Sequence, residues 1–81
     1  LHKAVARDLL RKAGWGEPKI TMALRILAYD GARNARGVAP VIAAFAERSD
    51  DPGEAGVWKA TADQLAADPK LAEALFTLRK M

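Results

Sequence analysis

Two short motifs, Asp51-Pro52-Gly53-Glu54 and Asp68-Pro69, fix where helices must begin in the second half of this 81-residue chain. Asp at an N-cap accepts hydrogen bonds from the first unpaired backbone N–H groups of a helix. Pro at the first helical position gives up only an N–H that has no intrahelical partner. Glu54 stands where a capping box places its acid. The two starts bracket about four turns. They mark a compact helical domain rather than a chemical site.

The rest of the chain reads as helix in the same way. Over residues 2–13, Ala4, Val5, Leu9 and Ala13 share one stripe with Leu10 beside it, and Lys3, Arg7, Arg11 and Lys12 lie off it. Gly14 supplies the left-handed residue that ends this helix, and Trp15 follows where an apolar side chain folds back on Leu10. Residues 18–29 form a second helix whose Ile20, Met22, Ala23, Leu24, Ile26, Leu27 and Tyr29 cover most of its circumference. A helix apolar nearly all round is normally central, so this one is predicted to be the most buried element. A strand over Lys19–Met22 competes for its start, but Ala23 to Ala28 favour helix.

Gly31 to Gly37 has the composition of a surface loop, with Arg33, Asn34 and Arg36 between its glycines. Residues 38–48 form a third helix with Val38, Val41, Ile42, Phe45 and Ala46 on one face and Pro40 in its first turn. The fourth helix covers about 52–67 with a stripe of Trp58, Ala62, Leu65 and Ala66, and Trp58 is predicted to be buried against helix two or three. Asp68 caps a fifth helix whose face is Leu71, Leu75 and Leu78, with Phe76 alongside. Spacing also predicts Asp8–Lys12 and Lys59–Asp63 ion pairs. The expected architecture is all-α, a small single-domain bundle of about five short helices over residues 1–81.

Hydrophobic residues make up 51% of the chain, but much of that share is alanine, which favours helix and buries little area per residue. Packing must therefore come from a short set of Leu, Ile, Val, Phe and Trp, and partner-assisted stability is a fair expectation. With no cysteine, disulfides, thiolate zinc sites, iron–sulfur clusters and cysteine nucleophiles are all ruled out, which fits a reducing, cytoplasmic location. No apolar run approaches the ~20 residues of a membrane span. The only histidine, His2, lies near a terminus, and the acids lack calcium-loop spacing, so no metal or other cofactor is expected. Ser49 and His2 have no third group to orient them, and Gly14-Trp15-Gly16 lacks the rest of a nucleotide fingerprint. An enzyme with a small-molecule substrate is not expected.

Charge is uneven. Residues 1–40 carry eight Lys/Arg against Asp8, Glu17 and Asp30, a balance of +5, while the remainder is −2. Two functional readings follow. The favoured one is a noncatalytic interaction module that self-associates or binds a protein partner, with Leu71, Leu75 and Leu78 as the docking ridge. The alternative is a basic nucleic-acid-binding module using Arg25, Arg33, Asn34 and Arg36. A helix–turn–helix is disfavoured, because Val38-Ala39-Pro40-Val41-Ile42 offers nothing to read a base edge.

Gly31, Ala43-Ala44 and the run Asp50-Asp51-Pro52-Gly53-Glu54-Ala55-Gly56-Val57-Trp58 carry one further resemblance. From Leu24 to Leu65 the chain resembles short helical proteins encoded widely in alphaproteobacteria. The resemblance implies a bacterial source and a helical fold, and it carries no activity with it.

Overall fold

The computed structural model describes residues 1–80, and the elements run α1 (Lys3–Lys12), α2 (Glu17–Asp30), a 3₁₀ turn (Ala35–Gly37), α3 (Val38–Arg48), α4 (Pro52–Ala67) and α5 (Pro69–Arg79). The fold is all-α, with five α-helices and no strand among the described residues. Each boundary has a local cause. The Asp51 side chain accepts from the Gly53 and Glu54 N–H groups, and Asp68 accepts from Leu71 at 3.2 Å. Only half of the capping box forms, since Glu54 makes no return bond to Asp51. His2 is itself a cap, its Nδ1 accepting from the Ala4 N–H at 3.1 Å.

α1 ends in a Schellman turn. Gly14 takes φ 93°, its N–H donates to the Arg11 carbonyl at 2.9 Å, and the Trp15 N–H donates to Leu10 at 3.0 Å. Trp15 is thereby folded back and buried, and its indole N–H donates to Gln64 Oε1 at 3.0 Å, tying this corner to α4. Lys19 lies over the same ring, 4.5 Å from its centroid, and the desolvation this brings lowers its pKa. Glu17, the first residue of α2, is clamped by Arg11 at 2.7 Å and by Arg7. Its position at a helix N-terminus adds to the attraction.

This corner corrects the expected face of α1. Ala6 and Leu10 are buried, whereas Ala4 and Ala13 are exposed and Val5 keeps 49% of its surface. The Glu17 clamp holds the Arg7/Arg11 side beside the start of α2, and the returning Trp15 makes Leu10 the inward position. The predicted stripe is consequently split, with Leu9 half-buried against the core and Ala4, Val5 and Ala13 turned toward solvent.

α5 sits at the centre. It touches α1, α2, the 3₁₀ turn, α3 and α4, and its most extensive partner is α1; α3 packs chiefly on α4. α5, not α2, is thus the most buried element, with five buried residues of eleven against four of fourteen. Leu71, Leu75 and Leu78 are all buried in this core, so they form no exposed ridge. Trp58 is buried as predicted, its ring edge-on to Phe45 of α3 at 6.1 Å between centroids. Thr61 is the one buried polar side chain among the described residues, and it is satisfied by donating to the Val57 carbonyl at 2.8 Å. Two smaller expectations also change: Ala66 is exposed, and Lys59 and Asp63 do not pair, whereas Asp8 and Lys12 do at 3.2 Å.

Candidate interaction site

The apolar circumference of α2 divides into two stripes. Ile20, Ala23 and Leu27 recur at helical spacing and point into the core. Met22, Ile26 and Tyr29 recur on the other side at the same spacing and line an open groove of about 550 Å³ between α2 and α3. Phe45, Arg48 and Ser49 of α3 and the following turn form the opposite wall, and Arg25 and Asp30 flank the α2 stripe.

Burial grades across this groove. Ile26 is 3% exposed and forms the floor, Met22 and Phe45 are half-buried, and Tyr29 is 91% exposed at the lip. Trp58 stands behind Phe45 and fixes that wall from the core side. Asp30 and Arg48, the last residues of their helices, pair at 2.7 Å. A carboxylate at a helix C-terminus faces the negative end of the backbone dipole, so Arg48 offsets an unfavourable placement of Asp30. The Ser49 hydroxyl donates to the Asp51 carbonyl at 3.4 Å. The polar groups of the groove are two guanidiniums, one paired carboxylate, a phenol and this hydroxyl.

The structure separates the basic residues singled out from the sequence. Arg25 lines the α2–α3 groove, whereas Arg36 borders a second depression of about 340 Å³ with Ala39, Pro40, Leu65 and Pro69. The two depressions share no residue. Arg33 is exposed and lines neither. Asn34 has a structural task, because its Oδ1 accepts from the Gly37 N–H at 3.1 Å and caps the 3₁₀ turn. The stretch read as loop thus contains a turn of helix, and Ala32 within it is buried.

Sequence reading marks Met22, Tyr29 and Phe45 only as apolar helix positions and gives Arg48 no role. The available signal was the surplus of apolar positions on α2, more than one core-facing stripe requires. The same surplus also fits central burial, which is the expectation that the groove corrects. Among the described residues no group of His, Cys, Asp or Glu could hold a metal ion, and no helix is long and apolar enough to cross a membrane. Comparison with family models, curated proteins and solved structures finds no match.

Proposed function

We propose that this chain is a noncatalytic interaction module that takes an amphipathic helix of a protein partner into the α2–α3 groove. The observation that carries the reading is the second apolar stripe of α2, ending in a Tyr29 that is 91% exposed. Aromatic residues are enriched at interaction surfaces, and this one stands at the lip of an apolar groove rather than alone on a polar face. Met22, Ile26 and Tyr29 span about two helical turns, the length over which a docked helix presents its anchors. This surface replaces the Leu71/Leu75/Leu78 ridge, which the core consumes.

The test is an NMR titration with two synthetic peptides of identical composition, one with Leu at amphipathic spacing and one scrambled. Saturable shifts of the Met22 methyl and the Tyr29 and Phe45 rings are expected with the patterned peptide alone. Tyr29→Ser should abolish them while leaving the far-UV CD spectrum unchanged. No shift at peptide concentrations of about 1 mM, where even weak specific contacts register, would sink the reading.

A second reading rests on Arg33 and Arg36, which are exposed and make no ion pair among the described residues. It is nonspecific nucleic-acid binding through these two with Arg25. It calls for affinity to a random duplex that falls steeply with salt, with a slope flattened by roughly two phosphate contacts in the Arg33→Ala/Arg36→Ala double variant.

A further inference from the structure

We infer that the helix received by the α2–α3 groove is acidic, and that Arg25 selects it by pairing with a carboxylate beside its apolar anchors; this rests on the groove reading above. The lining carries Arg25 and Arg48 against Asp30, which leaves it one charge positive. Arg48 and Asp30 already satisfy each other at 2.7 Å. The uncompensated charge therefore belongs to Arg25.

Nothing on its own helix can quench it. The positions one turn before and after Arg25 are Thr21, Met22, Ala28 and Tyr29, none of them acidic. The other three arginines on α1, α2 and α3 each hold a carboxylate: Arg7 and Arg11 share Glu17, and Arg48 holds Asp30. Arg25 is exposed, makes no ion pair among the described residues, and is the one left over at the edge of the apolar stripe.

Charge complementarity also separates the candidate occupants. A second copy would have to present a helix with several exposed apolar residues, but α1 and α4 each expose only one large one, Val5 and Val57. α1 carries Lys3, Arg7, Arg11 and Lys12 against Asp8, so it would bring like charge to a positive groove, and α4 offers Val57 alone where the groove spans two turns of anchors. A partner helix flanked by Glu or Asp instead meets a guanidinium able to bind it in a bidentate manner. Exposed pairs of this kind contribute modestly and are screened by salt, so Arg25 governs the choice among partners more than the affinity itself.

The experiment uses three helical peptides with identical Leu anchors and Glu, Gln or Lys at both positions flanking the ridge. Each is titrated onto the wild-type chain and onto R25Q and R25E, with Tyr29 and Phe45 resonances reporting groove occupancy. For wild type the Glu peptide should bind about three- to fivefold tighter than the Gln peptide, with the Lys peptide weakest. R25Q should level the series and R25E should reverse it, and added salt should compress all differences. Equal binding of the three peptides to wild type, with the groove occupied, overturns the acidic partner and leaves the groove reading standing. No groove shift with any peptide overturns both. Two other outcomes also overturn the inference: a concentration-dependent dimer in sedimentation that itself shifts Tyr29, and a random duplex that shifts Tyr29 where no peptide does.

Discussion

Glu17 shows how one side chain can set the geometry of a corner. Two hydrogen bonds and an ion pair from Arg11, followed by those from Arg7, hold its carboxyl below the ordinary value of 4.5. A depressed carboxylate contributes stability that is present above its unfolded pKa and is lost as pH falls through the folded one. Glu17→Gln is therefore expected to lower urea stability at neutral pH. It should match wild type once the solution is acidic enough to protonate Glu17 in the folded chain. Salt should narrow the neutral-pH gap, because the pair is exposed. A gap of unchanged size across the whole acid range would mean that the clamp is not electrostatic. Trp58 acts at the same scale through packing. Buried and edge-on to Phe45, it supports one wall of the groove from behind. Trp58→Ala should cost about 3–5 kcal/mol by chemical denaturation, the range for truncating a core aromatic. Any variant population that stays folded should show a loosened Phe45 wall as broadened ring resonances.

Among the elements, α4 owes its start to Asp51, whose carboxylate bonds the Gly53 N–H at 2.9 Å and the Glu54 N–H at 3.4 Å. Asp51→Ala should lower stability by about 1 kcal/mol, measured as a shifted urea midpoint with an unchanged slope. The same change at Glu54 should do much less, because its side chain returns no bond. α2 differs from its neighbours in carrying apolar residues that its own core does not use. Ile20, Ala23, Ile26 and Leu27 belong to the core, whereas Tyr29 and the outer side of Met22 serve only the groove, with Ile26 as its floor. Periodicity counts apolar positions on a helix but does not say which neighbour, if any, lies against them. That is why an all-round apolar helix suggested central burial and turned out to be two-faced.

For the whole molecule, α5 is the hub, since every other element rests on it. Leu75 is fully buried there, and Leu75→Ala should cost about 2–5 kcal/mol. For a small domain with total stability near the low end of about 5–15 kcal/mol, that is enough to populate the unfolded chain. Tyr29→Ser removes comparable apolar bulk from a fully solvated position. It should leave the melting temperature nearly unmoved, and the contrast between the two variants in one thermal scan checks the assignment of core and surface.

The sequence by itself determined the all-α class, the order of the helices and most of their ends. The third and fourth helices begin and end where capping and proline chemistry placed them, Val38–Arg48 and Pro52–Ala67. The Schellman stop at Gly14 and the folded-back Trp15 were equally legible, because caps act over a few residues of contiguous chain. Arg25 was legible as a candidate, but its setting was not. Only the tertiary structure decided that α1 turns Leu10 inward and Val5 outward, that α5 rather than α2 occupies the centre, and that Arg25 and Arg36 border different depressions. The physical reason is that a helix with more than one apolar stripe can be rotated about its axis without changing its local energy. The rotation that wins is set by contacts between elements such as Glu17 with Arg7 and Arg11, Trp15 with Gln64, and Phe45 with Trp58.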